Sequence, residues 1–301
     1  MLAPIIIFAF NRLSALKNTI SSLLKNTESI ESDLFVFVDG ARDYKDSEKK
    51  QVHDVQEYVK TITGFKSLTY IFSNNNKGLG PSIIEGVTDV INRYGRCIVI
   101  EDDLIVSENM LAYVNQGLDM YENNREVFSI SAYSNKVNPP KDYSYDVYFA
   151  PRSTSWGWAT WKDRWMSCDW KLEDWVSVEK NAKSFNRWGG SDCFSMLRNW
   201  KEGRNQSWAI RFCYNQFLQD AVSLFPIVSK IDNDGFDGSG TNCKQWSRFK
   251  QDFDKTENKC FNMPKAIIKN KKLYKEALKY YSILIRIYSR FMYMWYDIIK
   301  H

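Results

Sequence analysis

The stretch Cys97-Ile98-Val99-Ile100-Glu101-Asp102-Asp103-Leu104 runs four apolar residues straight into three consecutive carboxylates. A short apolar run rich in β-branched residues reads as a buried strand. The acids then fall where that strand ends, and open α/β sheets bind ligands outside the carboxyl ends of their strands. Three adjacent carboxylates repel one another unless a cation sits among them. Mg²⁺ and Mn²⁺ take carboxylate oxygens and keep substrate phosphates as further ligands. The local chemistry therefore points to a metal bridging a diphosphate, with a solvated acidic turn as the plain alternative.

Working back towards the N-terminus, Ile5 to Phe10 is a continuous apolar strand. Leu13, Leu16, Ile20, Leu23 and Leu24 then repeat at helical spacing. Leu34 to Val38 is a second strand ending in Asp39-Gly40, and Val52, Val55, Val59 and Ile62 mark a second helix. Leu68 to Phe72 is a third strand. The loop Asn74 to Gly80 follows, and Pro81 suits the first position of the next helix. Alternating strands and helices predict an α/β fold, a mainly parallel Rossmann-like sheet with helices on both faces. Such a sheet collects Asn11 and Arg12, Asp39 and Arg42, Lys77 to Gly80, and Glu101 to Asp103 on one rim.

That order of motifs resembles a GT-A fold glycosyltransferase of the family 2 type. The Glu-Asp-Asp form is similar to the N-acetylglucosaminyltransferase I group. The likeness is firm over about the first 130 residues and looser over the next 130. It implies that Ala9, Phe10, Asn11, Arg12 and Asp39 hold the nucleotide base, and Arg42 is expected in the same nucleotide-sugar site. It also implies that Lys77, Gly78, Leu79 and Gly80 pass near the ribose. Glu101 and Asp102 complete the nucleotide-sugar site, and Asp103 binds Mn²⁺ (or Mg²⁺). On this reading residues 1–105 are the nucleotide-sugar half and 106–264 the acceptor half of one domain. Residues 265–301 form a basic amphipathic helical tail.

The acceptor half has its own texture. Nine of the eleven tryptophans lie between Trp156 and Trp208. Tryptophan offers a flat apolar face with a polar edge, which suits stacking on sugars, although most of these residues read as core. Trp156 and Trp158 flank Gly157, which permits close backbone approach, and the three are the expected sugar or acceptor contacts. Asp192 follows Gly189-Gly190 and opens a helix, so it is the expected catalytic base. The alternative is a helix cap, with Glu173 and Asp174 as the next acids in line for the base. Asn233 to Asn242 reads as a glycine-rich loop near the diphosphate. Asn242 stands where related enzymes often place a metal-binding histidine.

Composition narrows the classes. Only His53 and His301 are present, so a histidine base or a histidine-rich metal site is not expected. Six cysteines form no C-x-x-C pair, which argues against zinc and redox motifs. The N-terminus reads as a strand and not a signal peptide. From Lys265 to His301, nine Lys and Arg face Glu276 and Asp297, a net +7, leaving −2 for the remainder. Basicity confined to the tail argues against nucleic acid and for a local anionic partner. The tail reads as a helix lying in a membrane interface, which puts the protein in the cytoplasm, peripheral to the inner face of the plasma membrane.

The expected activity is inverting, metal-dependent transfer of a hexose or N-acetylhexosamine from a UDP-sugar. The acceptor would be a glycan or a lipid-linked glycan in surface polysaccharide synthesis. The alternatives are a sugar nucleotidyltransferase, disfavoured because Asn11-Arg12-Leu13 is no glycine-rich phosphate loop, and a non-catalytic glycan-binding subunit.

Overall fold

A computed structural model describes residues 1–42, 45–233, 249 and 251–299. The first half alternates β1 (Ile5–Ala9), α1 (Leu13–Leu23), β2 (Asp33–Val38), α2 (Asp46–Lys60), β3 (Ser67–Phe72), α3 (Leu79–Tyr94) and β4 (Arg96–Glu101). Then come β5 (Leu104–Val106), α4 (Met110–Tyr121), β6 (Val127–Ser131), β7 (Val147–Ala150), β8 (Trp158–Trp161) and α5 (Lys162–Met166). The chain goes on through α6 (Trp175–Lys180), α7 (Ala182–Gly189), α8 (Cys193–Lys201) and α9 (Trp208–Leu218). It ends with β9 (Val222–Pro226), β10 (Ile231–Asn233), α10 (Lys271–Lys279) and α11 (Ile283–Ile299).

The central sheet has the order β3-β2-β1-β4-β8-β6-β9-β7. Neighbours β3, β2, β1 and β4 are parallel, as are β6 and β9, whereas β8 and β7 run antiparallel to their neighbours. The α/β class and the mainly parallel sheet agree with the strand–helix alternation of the sequence. β1 is buried throughout because helices cover both of its faces. Ile5, Ile7 and Ala9 pack with Leu16, Ile20, Val52 and Val55 on one side. Ile6 and Phe8 pack with Ile83, Val87 and Trp208 on the other.

Some element bounds shift for identifiable reasons. α3 begins at Leu79, so Pro81 sits inside its first turn and not at its first position. A first-turn proline costs no hydrogen bond, because those N–H groups have no helical partner. Gly95 ends α3 in the left-handed region at φ +78°.

The C-terminal segment divides in two. Phe261 and Met263 belong to the core, and Tyr121 donates to the Pro264 carbonyl at 2.7 Å. Leu273 and Ala277 of α10 are buried beside Tyr148 and Phe225. The part of the basic tail up to α10 is thus packed into the body, whereas α11 carries an exposed apolar face. No helix among the described residues is long and apolar enough to cross a membrane.

Candidate active site

The carboxyl ends of β1, β2 and β4 share one rim. A cavity of about 780 Å³ opens there, lined by Phe8 to Arg12, Asp39, Arg42, Lys77 to Leu79 and Asp102 among others. That volume suits a nucleotide-sized ligand. Ala9 to Arg12, Asp39, Arg42, Lys77 to Leu79 and Asp102 are therefore adjacent in space, whereas Gly80, Glu101 and Asp103 do not line this cavity.

Their hydrogen bonds refine the expected roles. Asp39 Oδ1 accepts from the Gly40 and Lys77 backbone N–H groups at 3.0 and 2.9 Å. Asp39 Oδ2 accepts from Gly78 N at 2.9 Å and Asn76 Nδ2 at 3.1 Å. Its carboxylate is occupied in fastening the glycine loop, a role the sequence did not assign to it. Arg42 forms a two-pronged pair with buried Glu48 of α2, its Nε donating at 2.8 Å. Asn11 donates to Gln51 at 2.9 Å, and Lys77 Nζ to Glu85 at 2.6 Å.

The loop's glycines answer to a partner that local sequence does not reveal. A side chain at Gly80 would meet the Gln206 backbone oxygen at 2.2 Å, and one at Gly78 would meet Gln206 Oε1 at 2.2 Å. The strand-to-helix loop thus leans on the segment before α9. Gly80→Ala is expected to lower Tm by several degrees, with no rescue by Gln206→Ala, because its obstacle is backbone. Gly78→Ala is expected to be partly rescued by Gln206→Ala, since only the strain at φ +79° persists. Thermal melts of the two single and two double variants check this.

Asp102 and Asp103 form the tight turn between β4 and β5, which β5 secures by pairing with β10. Thr19 Oγ1 holds the Asp102 carbonyl at 2.9 Å. The Arg12 guanidinium donates to Asp103 Oδ2 at 2.8 Å and also pairs with Asp102. The two acids outweigh Arg12's own burial and hold it above its ordinary pKa. Burial pushes Asp102 up to about 6 against the pull of Arg12. Glu101 is pushed up to about 8, first by burial and then by the charges of Asp103 and Asp102.

Asp103 Oδ1 is buried without a hydrogen-bond partner. A desolvated carboxylate oxygen lacking a donor is what a hard cation would satisfy. No group of three or more His, Cys, Asp or Glu among the described residues could hold a metal ion. One or two carboxylates are enough for an ion whose other ligands are phosphate and water, so the residues present fit Mg²⁺ or Mn²⁺. Asn242 lies outside the described residues.

The raised Glu101 has a consequence for stability. Its neutral form is favoured in the fold, so ionisation costs stability as pH climbs from the unfolded value near 4.5. The cost is absent below that value and complete above about 8. Glu101→Gln is therefore expected to raise Tm at pH 8 and change it little at pH 4.5. Melts across that range in metal-free buffer read the difference directly.

A second cavity, of about 270 Å³, is lined by Tyr133, Arg152 to Trp156, Asp192, Met196, Phe249 and Tyr281 among others. β8 pairs with β4 as far as Val99 opposite Trp158. Trp156 lies two residues beyond that pair, as Glu101 does, which places it towards the same end of the sheet. Trp156 meets Tyr133 and Phe249 edge-on, with ring centroids 4.8 and 6.0 Å apart.

Two expected contacts need correction. Trp158 is 1% exposed and stacks on Trp165 and Trp208 in the core, because β8 points it inward between two covered strands. It cannot touch a ligand without unpacking that cluster. Gly157 is buried, with φ +62°, and an added side chain would meet Ile231 at 2.8 Å. Its missing side chain makes room for the protein itself.

Asp192 lines the second cavity but does not cap α8 with its side chain. Arg152 donates to both of its oxygens, at 2.6 and 3.2 Å. Burial alone would raise Asp192, but Arg152 outweighs it and holds the carboxyl below its usual value. Arg152 also donates to the Gly189 carbonyl at 3.1 Å and lies 3.8 Å above the Tyr281 ring. It adopts φ +66°, an uncommon conformation for a non-glycine residue, and such strain concentrates at functional sites. Asp174 caps α6 through Ser177, and Glu173 is exposed, so neither reaches this cavity.

By sequence, the chain matches no protein-family model and no curated protein. Among solved structures it is similar to S. aureus TarS at 13% identity and a TM-score of 0.32, over 48% of this chain and 24% of that one. A UDP-glucose pyrophosphorylase complexed with UDP-glucose matches at 12% identity and a TM-score of 0.38, covering 78% and 94%. A protein from Desulfovibrio desulfuricans G20, named as a nucleotide-diphospho-sugar transferase, matches at 14% and 0.32, covering 61% and 77%. The chain spans about a quarter of TarS. These are distant likenesses, so the functional reading rests on the site.

Proposed function

We propose that the protein is a metal-dependent glycosyltransferase that moves a hexose or N-acetylhexosamine from a UDP-sugar to a glycan hydroxyl with inversion. The observation that carries this reading is the shared rim. It sets a nucleotide-sized cavity beside the acidic turn, with the aromatic, hydroxyl-lined cavity towards the same end of the sheet. The donor occupies the first cavity against Phe10, Asn11, Arg42 and the Lys77–Gly80 loop that Asp39 holds. Asp103 is the expected metal ligand, with Asp102 second. A bound divalent ion supplies charge neutralisation for the departing diphosphate.

The acceptor occupies the second cavity, its ring against Trp156. In-line attack needs a proton acceptor on the side of the donor away from the diphosphate. Asp192 is the acid in that cavity, its two oxygens held by Arg152 and by a backbone N–H. The Arg152 pair orients the carboxylate and keeps it ionised at neutral pH.

The test is a panel of UDP-sugars with Mn²⁺, read as release of UDP and as the anomeric configuration of the product by NMR. Transfer to water or to a sugar with inversion is expected. Formation of a UDP-sugar from UTP and a sugar 1-phosphate would assign a nucleotidyltransferase instead. Binding of UDP with no turnover of any donor would leave a glycan-binding subunit.

A further inference from the structure

The helix α11 presents Ile283, Leu284, Ile287 and Phe291 on one exposed side, with Leu284 79% exposed. These positions recur at i, i+1, i+4 and i+8, a single helical stripe. Ser289, on the opposite side, is buried. The helix therefore leans on the protein by one side and leaves an apolar stripe uncovered.

Charge decides what covers the stripe. α11 itself carries Arg286 and Arg290 against Asp297, and Lys271, Lys272, Lys275 and Lys279 of α10 directly precede it. A second copy would bring the same positive segment against it, and like charges juxtaposed oppose pairing. An apolar stripe flanked by Lys and Arg matches a surface of anionic lipid headgroups over acyl chains.

The base of this helix is also a wall of the second cavity. Tyr281 lines that cavity two residues before α11 begins. Ser191, next to Asp192, donates to the Tyr281 carbonyl at 2.8 Å and accepts from Arg286 at 3.0 Å. Arg152 lies over the Tyr281 ring. The helix and the cavity are joined through the same few side chains.

We propose that the exposed face of α11 docks on an anionic lipid surface and fixes the wall of the second cavity at that surface. Resting on the transferase reading, this makes the natural acceptor a saccharide presented at a membrane.

The test uses the full chain and vesicles of phosphatidylcholine, with and without phosphatidylglycerol. Sedimentation with the anionic vesicles is expected, weakening with salt. The double variant Ile287→Asp, Phe291→Asp is expected to bind at least about tenfold less, since each apolar side chain loses its burial. Its Tm and UDP binding should match wild type. Hydrogen exchange on the vesicles is expected to slow over α11 and over residues 189–192, and to stay unchanged in β3. Equal binding by the variant overturns the proposal. So does a wild-type dimer that the variant dissolves without any vesicle binding. Protection confined to α11 overturns the link to the cavity. Loss of UDP binding in wild type would refute the transferase reading and leave the vesicle result standing, so the two failures are distinguishable.

Discussion

Asp103→Ala is expected to lower metal-dependent donor turnover by about 10²–10³-fold, the scale of losing several kcal/mol of charge stabilisation on a departing diphosphate. The same variant should melt no lower than wild type. Asp103 sits at the rim turn, its Oδ1 is buried without a partner, and its charge contributes to the raised Glu101. Removing it relieves an unsatisfied buried atom, and Arg12 keeps Asp102 as its partner. Turnover with Mn²⁺ and a melt in metal-free buffer check both halves. Undiminished turnover would remove Asp103 as the metal ligand. A large drop in Tm would make its role structural.

Asp192→Asn carries the second large effect, and it separates two quantities. Asp192 is buried, the Arg152 side chain is 10% exposed, and the two pair at 2.6 Å. Taking away one partner of such a pair leaves an uncompensated buried charge and costs about 3–5 kcal/mol. For a chain of this size that is a fall in Tm on the order of 10 °C. As the base, Asp192 must also set turnover, with a loss of about 10²-fold or more measured well below the melt and UDP affinity unchanged. The double variant Arg152→Met, Asp192→Leu removes both charges and should recover most of the stability but none of the turnover. Recovered turnover would sink the base assignment and leave an ion pair that only holds Gly189 and Tyr281 together. The pH profile gives a further check. A carboxyl held below its usual value is ionised throughout neutral pH, so turnover should stay flat from pH 8 down to 5 as far as Asp192 is concerned. The stability the pair contributes is present above the unfolded carboxyl value and is lost as pH falls through the lower folded one.

The first cavity was legible because it depends on local pattern. A buried strand followed at once by acids or glycines places those residues at a sheet rim, and the parallel order of β3, β2, β1 and β4 brings the rims together. What local pattern could not show was how the rim residues are used. Asp39 reads as a ligand contact by position, yet its oxygens are taken by the Asn76–Gly78 loop. Gly78 and Gly80 are expected to pass near the ribose, and Gln206 leans on both.

The second cavity was less legible because its contacts join distant segments. Arg152 lies in a plain Pro-Arg-Ser-Thr-Ser stretch, and its partner Asp192 is 40 residues away. Nothing near Arg152 in sequence signals the pair. Trp156 and Trp158 look alike as flanks of one glycine, and only the pairing of β8 with β4 sends one to a cavity and the other into the core. The basic tail reads as one unit by charge. Leu273 and Ala277 pack α10 onto the body, and the exposed apolar face belongs to α11.

The central claim is that the first cavity holds a nucleoside diphosphate sugar beside Asp103. Calorimetric titration with UDP, with and without Mn²⁺, tests it most directly. Saturable one-to-one binding is expected, tightened by Mn²⁺ in wild type and no longer tightened in Asp103→Ala. Absence of UDP binding in wild type under both conditions would contradict it.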